Sequence, residues 1–142
     1  MEVFTEEWAR ACCQALNRSE AYRASAVQWE GSIVLAMAAD AAHGITAERA
    51  VFIDAHHGEC RDAHLASADE LSSATYVLSA GPATWKRLLA KEIELVGAVM
   101  QGKLRLVRGG LFALAKFAQA ARDMVAAAAD VGGTFPGSAE AA

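Results

Sequence analysis

The spacing of the apolar residues changes along the chain, and this change constrains the fold more than any other feature. Near the N-terminus, Trp8, Cys12 and Leu16 recur at helical spacing, which predicts an amphipathic helix over residues 5–17. From Ser32 onward, short runs rich in β-branched side chains follow, as is typical of strands. A chain that combines both patterns is expected to pack helices against a sheet.

The strand pattern occurs in five short segments. They are residues 32–38, 50–56, 60–65, 74–79 and 104–108. The second and third segments flank His57-Gly58-Glu59, a tight turn in which glycine is the residue best able to take a positive φ. We therefore expect these two strands to form an antiparallel hairpin.

Helical patterns fill most of the remaining chain. Further helices are predicted over residues 19–27, from Pro82 onward, and as one long alanine-rich helix over residues 111–129. The predicted fold class is therefore α+β, with a five-stranded, mostly antiparallel sheet and helices covering one face. Small residues on the covering helices leave space that an internal apolar cavity could occupy, but alanine helices also pack closely with nothing between them, and a packed core is the simpler expectation from composition.

Length and composition favour one domain, with a different segment at the C-terminal end. Residues 1–130 are predicted to form the domain, and the glycine-rich residues 131–142 a flexible tail. The net charge of −4 argues against a nucleic-acid partner, which would need a basic stripe. No uninterrupted apolar run approaches the roughly 20 residues that a transmembrane helix needs, so no membrane span is expected.

The cysteine count is odd and bears on the cellular compartment. Cys12 and Cys13 are adjacent on the first predicted helix, and Cys60 lies in the third strand segment. We predict three reduced thiols and a cytoplasmic protein, since the N-terminus also lacks the basic and apolar regions of a secretory signal.

Four sequence features together resemble the sterol carrier protein-2 family, in its bacterial form. They are Phe4-Thr5-Glu6-Glu7-Trp8, the hairpin around Gly58, Trp85-Lys86-Arg87-Leu88-Leu89, and Met100-Gln101-Gly102-Lys103-Leu104-Arg105-Leu106. The spacing between Leu89 and Met100 also fits, and the likeness extends over residues 4–129. The resemblance implies a five-stranded sheet with helices around an apolar tunnel.

In function, the resemblance implies a non-catalytic carrier for a fatty acid, a fatty acyl-CoA or a sterol-like lipid. Such a carrier needs no cofactor, metal or catalytic residue, and the hydrophobic ligand is its expected partner, with a homodimer as a further candidate. The residues expected to form the ligand-binding wall are Leu35, Met37, Trp85, Leu88, Leu89, Met100, Leu104, Leu106, Leu114 and Phe117.

Several residues admit other chemistry. A zinc ion could take three ligands from the hairpin set Asp54, His56, His57, Glu59 and His64, although a polar, exposed hairpin explains that set more simply. Cys12 or Cys60 could act as a nucleophile, and Trp8, Trp29 or Trp85 could stack on a flat ligand, but core packing explains both groups better.

Two alternative functions follow from the same apolar wall. The chain could be an enzyme acting on a small apolar substrate in the cavity, which a buried Asp, His or Cys would support. It could also be an interaction module whose apolar face is covered by a partner subunit.

Overall fold

The computed structural model describes residues 1–136 of the 142-residue chain. Its strands are β1 (Ile33–Met37), β2 (Arg49–His56), β3 (Glu59–Leu65), β4 (Tyr76–Ala80) and β5 (Arg105–Arg108). Its helices are α1 (Glu6–Arg18), α2 (Glu20–Ser25), α3 (Ala68–Ser73), α4 (Pro82–Leu89), α5 (Leu95–Met100), α6 (Leu111–Lys116) and α7 (Ala118–Val131). A short 3-10 turn covers Ala41–His43.

The five strands form one sheet in the order β3-β2-β1-β4-β5. The central pair, β1 and β4, is parallel, and the other three pairs are antiparallel. The hairpin between β2 and β3 turns at His57 and Gly58, whose φ angles are 51° and 83°. The predicted α+β class, strand number and mostly antiparallel pairing are confirmed.

The two faces of the sheet are covered unequally. Side chains alternate along β1, so Ile33 and Leu35 join the main core beneath the helices while Val34 points to the other face. On that other face, Leu71 of α3 packs on a small cluster around Val34 and Val77. The prediction that helices cover one face therefore holds for the main core, but it missed α3.

Helix α1 is tied to the sheet by a covalent bond that was not expected. Thr5 caps the helix, since its hydroxyl accepts a hydrogen bond from the Trp8 backbone N–H at 3.3 Å. On the same helix, Cys13 forms a disulfide with Cys60 of β3, with Cα atoms 5.4 Å apart. The prediction of three reduced thiols is wrong, because the packing of α1 on β3 brings these two cysteines together; Cys12 is the free one.

The predicted long C-terminal helix is in fact two helices. The break falls at Phe117, whose φ of −107° and ψ of 29° lie outside the helical range. The Phe117 ring makes an edge-on contact with Trp29, with ring centroids 5.0 Å apart. The prediction of one helix over residues 111–129 is wrong, because the chain bends to bring Phe117 against the core.

The segment predicted as a flexible tail is partly ordered against the N-terminus. Helix α7 continues to Val131, the Thr134 carbonyl accepts a hydrogen bond from the Val3 N–H at 3.0 Å, and the Gly132 carbonyl accepts one from the Trp8 indole at 3.1 Å. The structure thus differs from the prediction over residues 131–134. The part of that prediction that concerns residues 137–142 lies outside the described residues.

Candidate functional site

Two apolar voids lie in the main core between the sheet and the helices. Each has a volume of about 30 Å³. Binding sites for drug-sized ligands are roughly 300–1,000 Å³, so neither void holds a lipid as it stands. The interior is therefore nearly closed.

The first void lies under α2, α6 and the start of α7. Its floor comes from β1 and β4, and its walls come from the helices and Trp29. Its lining residues are Tyr22, Ala26, Trp29, Ile33, Leu35, Tyr76, Leu78, Leu95, Leu114, Phe117, Ala120, Ala121 and Met124.

The second void lies between α1, α4 and the far half of α7. Its floor comes from β1 and β2. Its lining residues are Phe4, Trp8, Cys12, Leu16, Leu35, Val51, Ile53, Trp85, Leu88, Leu89, Leu95, Met124, Val125 and Ala128.

Three side chains line both voids and separate them. They are Leu35 from β1, Leu95 from α5 and Met124 from α7, and we call them the partition. Met124 is the most adaptable of the three, because its unbranched side chain has several rotatable bonds.

The predicted wall residues fall into two groups. Leu35 lines both voids, and five further predicted residues line one of them: Leu114 and Phe117 the first, and Trp85, Leu88 and Leu89 the second. Met37 and Leu104 are buried but line neither void, and Leu106 is half-buried against the core.

The structure places Met100 differently from the sequence prediction, with 71% of its surface exposed. Helix α5 buries Leu95 and Ala98, and a residue two positions after Ala98 is rotated by about 200° around the helix axis. Met100 therefore points away from the core and cannot form part of a wall. The prediction for Met100 rested on its apolar character and on its place in the motif at residues 100–106, and neither shows which side of α5 is buried.

Sequence reasoning missed the lining contributed by α1, α2 and α7. Tyr22, Ala26 and Met124 line the voids although none was selected from the sequence. The helical spacing of Trp8, Cys12 and Leu16 did mark one buried face of α1. This signal could have placed those three residues in the lining of the second void. No local signal marks Met124, since its position depends on how α7 crosses the sheet.

The polar groups at the void walls are uncharged. Burial raises the pKa of the Cys12 thiol to about 12, and burial likewise raises the pKa of the Tyr22 phenol to about 12. Cys12 is therefore a thiol and not a nucleophilic thiolate near neutral pH. Asp, Glu and His are absent from the lining of both voids. The lining offers apolar contact and no acid–base pair.

The three tryptophans are built into the core. Trp85 donates its indole N–H to the Ala36 carbonyl at 2.9 Å, and Trp29 donates to the Gly31 carbonyl at 2.8 Å. Trp8 stacks on Phe4 with ring centroids 4.9 Å apart. Each indole thus has a structural role, and stacking on a flat ligand is not needed to explain it.

The histidine cluster at the hairpin has a geometry that disfavours a shared metal. Glu30, His56 and His57 bring ligand atoms within 4.8 Å of one another. However, the two imidazole rings are stacked with centroids 4.1 Å apart and planes 8° apart. A metal binds in the plane of an imidazole ring, so two nearly parallel rings cannot share one ion without reorienting. His57 instead pairs with Glu30 at 2.7 Å.

Two of the remaining hairpin residues proposed as zinc ligands also have other partners. Asp54 pairs with Arg61 at 2.9 Å, and His64 lies between Asp62 and Glu70 at 2.9 and 2.8 Å. These ion pairs place His64 away from the Glu30 cluster. The expected set of five residues does not converge on one point.

The mixed five-stranded sheet, the helices over its main face and the carbon-lined interior define an α+β domain of the sterol-carrier fold class. A crystal structure of sterol carrier protein 2 superposes with a TM-score of 0.82 at 43% identity, covering 91% of this chain and 98% of that one. The chain belongs to the sterol carrier protein 2 family.

Two other solved structures are similar. One is the solution structure of a conserved hypothetical protein from Thermus thermophilus, described as possibly a sterol carrier protein, with 43% identity, TM-score 0.84 and coverage of 94% of this chain and 92% of that one. The other is the apo form of sterol carrier protein 2 from Yarrowia lipolytica, which shares the fold at 14% identity and TM-score 0.55, covering 89% of this chain and 88% of that one. Comparison with protein-family models and with curated proteins gave no match.

Within residues 1–136, no helix is both long enough and apolar enough to cross a bilayer.

Proposed function

We propose that this domain binds and carries a hydrophobic ligand, such as a fatty acid, a fatty acyl-CoA or a sterol-like lipid, between its sheet and α7 without catalysing a reaction. The observation that carries the proposal is the pair of apolar voids that meet at Leu35, Leu95 and Met124. Each CH₂ group of a ligand that enters this space gains about 0.8 kcal/mol by leaving water. An extended acyl chain that joins the voids would gain the most.

A surface groove supports this proposal because it borders the second void. The groove lies between the α4–α5 connection and α7 and shares Leu88, Leu95 and Val125 with that void. Its lining also contains two cations, Lys91 and Arg122, and two carboxylates, Glu94 and Asp123. A carboxylate head group in the groove would therefore have to take a cation from one of these carboxylates.

An ion pair crosses this groove and can be rearranged at low cost. Arg122 of α7 pairs with Glu94 at 3.0 Å, with side chains 42% and 61% exposed. Ion pairs this exposed typically contribute about 0–1 kcal/mol. Exchange of the Glu94 carboxylate for that of a ligand is therefore inexpensive.

The proposal is tested by titration with a fluorescent long-chain fatty acid, with native mass spectrometry to establish stoichiometry. We expect saturable binding of one molecule per chain. Ala121→Leu, which fills the first void from the half-buried face of α7, should weaken binding by about tenfold, since overpacking the space removes room for the chain. Ala21→Leu, on the exposed face of α2, is the matched control and should bind as the wild type does.

The role of the groove is tested separately with Lys91→Gln. This variant should weaken the binding of an ionised fatty acid but leave that of the corresponding fatty alcohol unchanged. No saturable binding of either probe to the wild type would contradict the proposed function.

The enzyme alternative has little support, because Asp, Glu and His are absent from the lining of both voids and Cys12 is held as a thiol. Lipid transport, as distinct from lipid storage, stays a prediction. The cytoplasmic location also stays a prediction. Reduced cysteines do not support that location, because Cys13 and Cys60 form a disulfide and disulfides persist mainly in oxidising compartments.

A further inference from the structure

One buried polar side chain in the wall of the first void has no hydrogen-bond partner. Tyr22 is 1% exposed and lines that void. Its backbone N–H donates to the Ser19 hydroxyl at 3.1 Å, and its carbonyl accepts hydrogen bonds from the Ser25 hydroxyl and the Ala26 N–H. Within residues 1–136, its phenol makes no hydrogen bond to another residue. The hydroxyl of Tyr22 is therefore available to a ligand.

The Tyr22 hydroxyl borders open space and is not fully enclosed by packed atoms. Every fully enclosed side-chain nitrogen or oxygen in the described part of the chain has a hydrogen-bond partner. Since the Tyr22 hydroxyl has none, it keeps a small accessible surface, and the first void is the open space that Tyr22 lines. Burial raises the pKa of this phenol to about 12, so the hydroxyl stays protonated and can donate as well as accept a hydrogen bond.

The rest of the lining offers few other hydrogen-bonding groups. Besides Tyr22, only Trp29 and Tyr76 among the residues lining this void carry a side-chain N–H or O–H. The Trp29 indole already donates to the Gly31 carbonyl at 2.8 Å. The void has room for a water molecule, but a buried water needs about two to four polar partners. An oxygen atom that a ligand carries into this void would therefore find its donor in Tyr22.

We propose that the Tyr22 hydroxyl recognises an oxygen atom on the hydrophobic ligand, so that the domain selects lipids with a hydroxyl or carbonyl group on their apolar part. This inference rests on the proposed function and specifies the class of ligand. The phenol O–H donates to the ligand oxygen, and a ligand hydroxyl can donate to the phenol in return. A carboxylate head group stays at the groove beside Lys91 and Arg122, because a charge is costly to bury in a carbon-lined interior.

The hydrogen bond matters because an unpaired hydroxyl is unfavourable in an apolar space. Adding a hydroxyl to a lipid chain should weaken its binding to a wall without a partner by about tenfold, since the hydroxyl gives up its hydrogen bonds to water. Tyr22 replaces one of those bonds inside the void. A lipid with a suitably placed hydroxyl should therefore bind at least as tightly as the plain chain.

The test compares palmitic acid with hydroxypalmitic acids that carry the hydroxyl at the middle or at the end of the chain, each competing with the fluorescent fatty acid. We expect the wild type to bind at least one hydroxylated acid as tightly as palmitic acid. Tyr22→Phe should weaken the binding of that hydroxylated acid by about tenfold and leave the binding of palmitic acid unchanged. Tyr76→Phe is the comparison variant, because Tyr76 lines the same void but is more exposed, at 7%, and it should bind both acids as the wild type does.

Thermal unfolding of Tyr22→Phe separates ligand recognition from a structural role. Since the hydroxyl has no partner in the described residues, this variant should have the melting temperature of the wild type. A lowered melting temperature would show that the hydroxyl stabilises the fold and would overturn the proposal.

Two binding results would also overturn it. One is that the hydroxylated acids all bind more weakly than palmitic acid, by the same factor in the wild type and in Tyr22→Phe. The other is an equal loss of affinity for both kinds of acid in Tyr22→Phe. Absence of saturable palmitic acid binding to the wild type would contradict the proposed function itself, so the two failures are distinguishable.

Discussion

At the scale of single residues, His64 is a side chain whose charge depends on two neighbouring carboxylates. It lies between Asp62 and Glu70, and its ring stacks on Phe52 with centroids 5.2 Å apart. Burial lowers the pKa of His64, but the hydrogen bonds and charges of Glu70 and Asp62 outweigh it and raise the pKa above its ordinary 6.5. Burial raises the pKa of Glu70, but hydrogen bonds from the Ser67 backbone and His64 outweigh it and lower the pKa below 4.5.

These shifts predict a pH window for the contribution of His64 to stability. A raised histidine pKa stabilises the fold below 6.5, and this contribution is lost as the pH rises through the folded-state value. The lowered pKa of Glu70 stabilises the fold above 4.5 and is lost as the pH falls. Thermal unfolding should therefore show that His64→Gln lowers the melting temperature more at about pH 5.5 than at about pH 8. An equal loss at both pH values would contradict this.

Single residues were predictable from sequence where the chemistry is local. The His57–Gly58 turn followed from the preference of glycine for positive φ, and both residues have it. The burial of Trp85 followed from its place in an amphipathic helix. The exposure of Met100 did not follow, because it depends on which side of α5 meets the sheet.

At the scale of elements, two adjacent glycines link β5 to α6, and they differ in whether the structure leaves room for a side chain. Gly109 has a φ of 111°, and a Cβ placed there would collide with Cδ1 of the Tyr76 ring. Gly110 has a φ of −87°, and its nearest contact from such a Cβ would be 3.8 Å. The first position therefore requires glycine, and the second does not.

Alanine at each position tests this. We expect Gly109→Ala to lower the free energy of unfolding by about 2–4 kcal/mol, from the unfavourable φ and the collision with the Tyr76 ring. Gly110→Ala should stay within about 1 kcal/mol of the wild type. Urea denaturation measures both. A similar loss of unfolding free energy for the two variants would show that Gly109 is not closely packed against the Tyr76 ring.

The disulfide makes a second prediction at this scale, because it joins α1 to β3. Cys13 and Cys60 are 47 residues apart, and closing a loop of that size stabilises a fold by about 4 kcal/mol on the chain-entropy estimate. Cys13→Ser with Cys60→Ser should lower the free energy of unfolding by about 2–4 kcal/mol. Thiol titration of the denatured, unreduced wild type should find Cys12 alone. Three reactive thiols would mean that the bond does not form.

The elements show which local signals are sufficient. The β-branched runs located the strands to within a few residues, because strand composition is a local property. Helix α3 was missed although Ser67 and Glu70 form a capping box, a signal that the sequence does contain. The break at Phe117 and the pairing of Cys13 with Cys60 depend on contacts distant in sequence, which no local pattern records.

At the scale of the whole molecule, the central feature is an interior that is apolar but nearly closed. Six of the predicted wall residues, among them Trp85 and Leu114, line one or both voids, but most of the lining was not predicted. Much of the rest comes from α1, α2 and α7, whose contributions depend on how the helices cross the sheet. The partition between the voids could not be predicted, since Leu35, Leu95 and Met124 come from three separate elements.

The most direct test of a ligand site between the sheet and α7 is methyl NMR of the four methionines during titration with a long-chain fatty acid. Met124 belongs to the partition and is 8% exposed, whereas Met100 is 71% exposed and lies outside both voids. We expect the Met124 methyl signal to shift and to saturate at one ligand per chain while the Met100 signal stays unchanged. A titration that leaves the Met124 signal in place, or that moves only the exposed methionines, would contradict binding between the sheet and α7.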